Sequence, residues 1–308
     1  MVQAETGKFD SGLARLQRPV LPLVNMVQFL YLTGPCGTVA EVLDRMTKPV
    51  ELEGVLYANP RRELEEYTLF LRELEVMKGK KKLSFTFPFI IDEKQKPLPG
   101  RKALELWIRQ QVLSRELETI NSLLCGPCGC VLCCTGPNSE HDRDSGFRGR
   151  MKQEFFEIPL EESEVSLFGV DTFDTAESRA MTARSEPPLQ RDGRPFYRNA
   201  TSLYHWQNGW SMVLPEGAAC PRLAVDTKKC LVYEKRPQVC RKPQIFPYIL
   251  EKTPDTAKRS DGVLLPVFMA RNKVLAVWDC PYVRKFQQEI GAYAEMGGLE
   301  PVFKKSKT

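Results

Sequence analysis

Ten consecutive residues, Cys125-Gly-Pro-Cys128-Gly-Cys130-Val-Leu-Cys133-Cys134, hold five of the ten cysteines of this chain. A single buried cysteine behaves as a small hydrophobe and can sit anywhere in a core. Five thiols interleaved with Gly and Pro make poor core material. Three more, Cys220, Cys230 and Cys240, follow at even nine-residue gaps. Thiolate sulfur is the ligand that soft metals select, and a bound cation makes such crowding tolerable. The eight thiols therefore predict a metal centre, and the fold must bring together two segments far apart in the chain.

The compartment decides how those thiols are read. The N-terminus has no basic segment leading into an apolar one, so no signal peptide is expected. The most apolar run, residues 20–32, is broken by Pro22, Asn25 and Gln28 and is too short to span a bilayer. The expectation is a soluble, cytoplasmic chain with no membrane partner. Thiols stay reduced there, so ten cysteines read as metal ligands or redox groups rather than as a disulfide framework. At 308 residues, 42% hydrophobic and 27% charged, the chain can build one large or two modest globular domains. Net charge is +5, with Lys and Arg spread along the chain apart from a run at 78–82 and the Lys304-Lys305-Ser-Lys307 tail. Such runs are read as solvated surface, with a nucleic-acid patch as the lesser alternative. A protein partner is left open.

Residues 1–24 show little periodicity and read as a loose arm. Thr38-Val-Ala-Glu41 has capping-box spacing before a short helix, and Cys36, isolated just before it, reads as structural. Asn59-Pro60 opens a helix to about residue 77, with Leu64, Tyr67, Leu71 and Leu74 on one face. Phe85, Phe87, Phe89 and Ile91 alternate as a strand, which Pro88 places at an edge. A helix over 101–124, striped by Leu113, Leu117, Ile120 and Leu124, delivers the chain into Cys125. His141, in the polar loop after the cluster, reads as solvent-exposed rather than as a ligand. Residues 174–195 are polar and proline-punctuated and read as a mobile excursion. Asn208-Gly209 predicts a hairpin with Trp206 and Trp210 near each other. Two β-rich runs around Arg271-Asn272 predict another hairpin. Asp279-Cys280-Pro281 then starts a last helix. Cys280 reads as a ligand, a reactive thiol or an inert buried residue.

Cys125-x2-Cys128 and Cys130-x2-Cys133 each let two sulfurs reach one ion, a spacing that zinc and iron–sulfur centres share. Successive side chains diverge, so adjacent Cys133 and Cys134 are not expected to point at the same tetrahedral ion, and more than four thiols suggests a polynuclear centre or two sites. Arg236 and Arg241 put positive charge near the thiolates. These features favour an iron–sulfur cluster over zinc. No Walker loop, dinucleotide glycine fingerprint, nucleophile elbow or HExxH motif is present, so no reaction is read from the residues.

Cys230-Leu-Val-Tyr-Glu-Lys-Arg-Pro-Gln-Val-Cys240-Arg resembles the YkgJ-type cysteine-cluster proteins, a presumed zinc- or iron-chelating family. By that resemblance Cys125, Cys128, Cys133, Cys134, Cys220, Cys230 and Cys240 match the expected ligands. Ile158-Pro159-Leu160 and Glu164 match the intermediate stretch, and Tyr233, Arg236, Pro237 and Arg241 match the signature around the last cysteine. Cys130 is additional to the pattern, and the usual ending after Arg241 is loosened. The match spans roughly 120–247. It implies metal binding without a substrate, although a related group, the flagellin lysine methylases, is thought to consist of iron–sulfur enzymes.

The expected fold is α+β: a helical N-terminal part, a metal-stapled cysteine-cluster domain with β-hairpins, and a C-terminal helix. The expected boundaries are a loose arm at 1–24, a mainly helical region at 25–120 and the cysteine-cluster domain at 121–250. A β-hairpin with the final helix, at 251–308, would pack on that domain. Metal ligation is expected at Cys125, Cys128, Cys130, Cys133, Cys134, Cys220, Cys230 and Cys240, by an iron–sulfur cluster or, as the alternative, zinc in a structural or metal-handling protein.

Overall fold

The computed structural model describes residues 2–76, 88–137, 154–242, 244–259 and 262–305, the side chains of 2–6 excepted. His141, the basic run at 78–82, Phe85, Phe87 and Lys307 lie outside the described residues. Helix and sheet are mixed along the chain, as α+β architecture requires. Among the described residues no helix is long and apolar enough to cross a membrane.

Helix α1 (Val2–Leu16) occupies the stretch expected as a loose arm. Phe9, Leu13 and Leu16 recur at helical spacing and pack into the main core, a stripe that the glycines at 7 and 12 dilute in the sequence. Helices α2 (Leu21–Thr33) and α3 (Val39–Arg45) follow, and the Thr38 hydroxyl caps α3 by accepting from the Glu41 N–H at 3.2 Å. A small hairpin, β1 (Val50–Leu52) with β2 (Val55–Tyr57), leads to Asn59, which accepts from the Arg62 N–H as expected of a cap. The single helix expected beyond it is instead α4 (Pro60–Leu64) and α5 (Thr68–Leu71), linked and followed by 3₁₀ turns. Leu64, Tyr67, Leu71 and Leu74 are all buried. Their spacing alternates three, four, three, and the chain tightens to three residues per turn where the spacing is three.

Strand β3 (Phe89–Ile91) is an edge strand, as Pro88 implied. The long helix α6 (Gly100–Cys128) then runs through the molecule. Leu113, Leu117, Ile120 and Leu124 are buried, and so are Leu104, Ile108 and Val112 on other faces. That burial follows from its place: α1, α2 and α5 pack on one side and the C-terminal sheet on another.

Past the cysteine cluster, β4 (Phe155–Leu160), β5 (Thr172–Phe173), helix α7 (Ala176–Arg179) and a small hairpin, β6 (Gln190–Arg191) with β7 (Arg194–Pro195), lead to β8 (Ser202–Trp206) and β9 (Gly209–Pro215). The sheet order is β4-β9-β8-β5. Its faces alternate by residue: Tyr204, Trp206 and Val213 join Phe196 on one side, and Leu203, Met212 and Leu214 join Phe168 on the other. Residues 174–195, expected to be mobile, are ordered. Thr175 and Ser178 form a reciprocal cap, and Ala183 and Leu189 are buried against Phe196 and Trp206. The hairpin at Asn208-Gly209 forms, but Trp206 and Trp210 do not meet. Trp206 pairs with Gly209 in register, whereas Trp210 pairs with His205 and stacks on its ring at 4.5 Å.

The second cysteine set lies in a region of short elements: Cys220 just before β10 (Leu223–Ala224), Cys230 in β11 (Lys229–Cys230) and Cys240 in α8 (Gln238–Arg241). The chain closes with β12 (Ile245–Lys258), β13 (Leu264–Val277), α9 (Pro281–Lys285), α10 (Gln287–Met296) and β14 (Glu300–Lys304). Arg271-Asn272, expected as a turn, lies inside β13. The two strands β12 and β13 instead join after residue 258, where the Arg259 N–H donates to the Val263 carbonyl. Asn272 has φ of 52°, and the register slips there from Tyr248 opposite Lys273 to Leu250 opposite Ala270. A left-handed residue with extra chain on one strand is a β-bulge, which Asn tolerates as readily as a turn.

Candidate metal centre

Helix α6 runs one turn further than the sequence suggested, so Cys125-Gly-Pro-Cys128 is its last helical turn. Pro127 contributes no N–H there, and Gly129, at φ of 63°, ends the helix in the left-handed region that glycine adopts freely. The chain reverses through Cys130 into a 3₁₀ turn over Leu132–Cys134. It then meets the segment after β9: the Cys220 N–H donates to the Cys134 carbonyl and the Gly136 N–H to the Ala218 carbonyl, both at 2.7 Å. Gly136 is required for this approach, since a Cβ there would lie 1.9 Å from the Pro215 carbonyl oxygen. Backbone pairing thus joins the two cysteine-bearing segments.

The second set is braced in the same way. Cys230 sits opposite Leu223 in the β10–β11 pair, whose start is fixed by the Leu223 N–H donating to the Cys220 carbonyl. The Tyr233 hydroxyl donates to the Ser122 carbonyl on α6. The buried Arg236 guanidinium stacks over the Tyr233 ring at 3.8 Å and donates to the Ser122 hydroxyl at 3.0 Å. Glu164 accepts from the Glu161 N–H at 2.9 Å and the Gln238 N–H at 2.8 Å, tying the turn after β4 to the helix that carries Cys240. Arg241 forms an ion pair with Glu118 of α6 at 3.1 Å.

None of the ten cysteines forms a disulfide. Seven of the eight expected ligands, all but Cys128, line one cavity of about 310 Å³, with Arg222, Lys228, Lys229 and Arg236 in its wall. The sulfurs of Cys133 and Cys134 are 3.9 Å apart in this lining, so the two adjacent side chains converge rather than diverge as expected, because the 3₁₀ turn over Leu132–Cys134 places them on one side. A second grouping adjoins it. The sulfurs of Cys128, Cys130 and Cys280 all lie within 4.8 Å of one another, and these three could hold a metal ion. Cys280, which the sequence left between three roles, is fully buried at the start of α9 and faces Cys128 and Cys130. Cys36 is buried in the main hydrophobic core.

The thiols perturb one another. Hydrogen bonds from the Cys130 and Cys280 thiols pull the Cys128 thiol down to about 3, and the same bonds push Cys130 up to about 12 and Cys280 well up. Hydrogen bonding to Cys133, then burial, raises Cys125, while the Arg236 guanidinium acts in the opposite direction. Burial, with Cys220 and Cys230 nearby, pushes Cys240 up to about 12. Buried sulfurs in such numbers ionise together only beside cations, and the all-sulfur donor set suits soft or borderline metals.

Comparison with family models, curated proteins and solved structures returns no match.

Proposed function

We propose that this chain is a metal-binding cysteine-cluster protein that carries an iron–sulfur centre in the thiol-lined cavity. The observation that carries the reading is that seven cysteines from two distant stretches line one cavity of about 310 Å³. A single zinc ion takes four ligands with sulfur at about 2.3 Å. Seven thiols exceed that set, and the cavity exceeds the space of one ion. Arg222, Lys228, Lys229 and Arg236 in the wall would offset the excess negative charge of a thiolate-ligated cluster. When bound, such a cluster supplies electron-transfer or related redox chemistry.

Membership of the YkgJ-type family is part of the proposal. Its support is that Glu164, Tyr233, Arg236 and Arg241 each tie a cysteine-bearing segment to a neighbour. The residues shared with that family would then hold the ligands in place, in the way outer partners orient metal ligands elsewhere.

The test is anaerobic purification followed by elemental analysis and a visible spectrum of the same sample. Iron with acid-labile sulfide and a brown chromophore is expected, and both should fall in Cys133→Ser and Cys240→Ser. A colourless protein with stoichiometric zinc and no iron would overturn the iron–sulfur reading and leave a zinc-stapled module or a metal-handling protein.

A further inference from the structure

We propose that Cys128, Cys130 and Cys280 form a second, mononuclear site that binds one d10 cation, zinc(II) or copper(I), and staples the C-terminal part of the chain to the end of α6. The spacing of the sulfurs carries the inference. Tetrahedral zinc with Zn–S bonds of about 2.3 Å places its sulfurs roughly 3.8 Å apart. The three sulfurs already lie within 4.8 Å of one another, so closing on one ion needs shifts of less than the width of an atom. An iron of a 2Fe–2S or 4Fe–4S cluster takes at most two protein thiolates, so three sulfurs in one tight triangle do not suit such a cluster.

The surroundings hold the triangle independently. The Cys130 and Tyr282 N–H groups donate to the Cys128 sulfur, and the Val283 N–H to that of Cys280. N–H···S contacts of this kind orient sulfur ligands and support their negative charge. Behind them, the Asn121 side chain bonds both the Ile245 backbone and the Tyr282 hydroxyl, which places α9 against the last turns of α6.

Cys130 also lines the cavity of the proposed iron–sulfur centre, but neither Cys128 nor Cys280 does; with Cys130 assigned to the triad, six thiols remain to the cavity. The inference does not rest on the iron–sulfur reading. Cys280 also falls outside the stretch that resembles a known family. A cation here would join residues about 150 positions apart in the chain, restricting the unfolded ensemble and adding its binding free energy to folding.

Two measurements on the full-length protein, purified anaerobically, test the site. Metal analysis of Cys280→Ser against wild type should show loss of one equivalent of zinc or copper per chain, with iron and sulfide unchanged. Loss of iron and sulfide in proportion would assign the triad to the iron centre, and unchanged zinc and copper would mean no site; either overturns the proposal. X-ray absorption at the zinc or copper edge of the wild-type protein needs no variant to fold. Three sulfur ligands without a short metal–metal distance are expected, and a metal neighbour, or two sulfurs or fewer, would overturn it. Zinc or copper lost in Cys280→Ser from a chain without iron would sustain this site while the cavity reading fell.

Discussion

The Tyr282 hydroxyl donates to Asn121 Oδ1 at 2.6 Å, deep between α6 and α9. The same amide donates to the Ile245 carbonyl at 2.6 Å and accepts from the Ile245 N–H at 3.2 Å. Asn121 stands one helical turn before Cys125, and Tyr282 two residues after Cys280. Three chain segments are thereby registered behind the sulfurs through one buried side chain.

Asn121→Ala removes three bonds and leaves the Ile245 backbone groups and the Tyr282 hydroxyl buried without it. Unsatisfied buried groups cost about 1–3 kcal/mol each. A loss on the order of 3 kcal/mol or more is expected in denaturant unfolding, against about 1 kcal/mol for Tyr282→Phe, which vacates only one acceptor. Both variants should also weaken metal retention by the triad, since outer partners of metal ligands typically contribute about 10–100-fold in affinity. An unfolding midpoint for Asn121→Ala equal to that of wild type would show that the knot does not hold the segments.

Glu116, one turn and a residue before Asn121, makes stability depend on pH. Burial raises its carboxyl to about 7, while hydrogen bonds from the Tyr293 hydroxyl at 2.6 Å and the Val20 N–H at 2.9 Å act the other way. The folded value lies above the ordinary carboxylate value of 4.5. The folded chain therefore holds this proton more tightly than the unfolded chain. Its contribution is complete below about pH 4.5 and is lost as pH rises through about 7. Glu116→Gln keeps the shape and removes the titration. It should flatten this part of the profile and gain up to roughly 3 kcal/mol relative to wild type at pH 8. A wild-type-minus-variant difference that stays constant between pH 5 and pH 8 would refute the assignment.

Much of this was legible in the sequence because it is local. The stripe of α6, the caps at Thr38 and Asn59 and the turn at Asn208-Gly209 depend on residues within a few positions of each other. Asn272 shows the limit: an Asn in the left-handed region serves a turn or a bulge equally well, and only the partner strand decides. Helix α1 was hidden because its stripe is short and glycine-diluted, so burial against Leu124 rather than propensity sustains it. The cysteine clustering pointed to a metal centre, but the grouping of the sulfurs did not follow from spacing. Asp279-Cys280-Pro281 announces a helix start, whereas its arrival beside Cys128 depends on the β12–β13 hairpin returning the chain to the end of α6.

Cys36 tests the distinction between a structural cysteine and the clustered ones. It is buried in the main core among apolar side chains and stands apart from both sulfur groupings. Cys36→Ser places a hydroxyl in that setting and is expected to cost on the order of 1 kcal/mol while leaving metal content per chain unchanged. Elemental analysis alongside a melting curve reads both quantities, and a fall in metal would overturn the structural reading of Cys36.

Gly136 allows the joined segments to be tested without removing a thiol. Its N–H bonds the Ala218 carbonyl, and a Cβ would enter the Pro215 carbonyl oxygen at 1.9 Å, a backbone atom that no side-chain rotation can move aside. Gly136→Ala must therefore push residues 134–136 away from 218–220, which separates Cys133 and Cys134 from Cys220. The expected result is loss of most cavity-bound metal with all ten cysteines present, together with a destabilisation of at least about 1–3 kcal/mol, the usual cost of overpacking. Gly291→Ala is the matched control. It lies in α10 with nothing within 4 Å of a Cβ, so it should keep the metal and gain about 0.5–1 kcal/mol from helix propensity. Full metal content in Gly136→Ala would mean that the pairing of these two segments does not hold the thiols together, and the cavity would then need another account of its assembly.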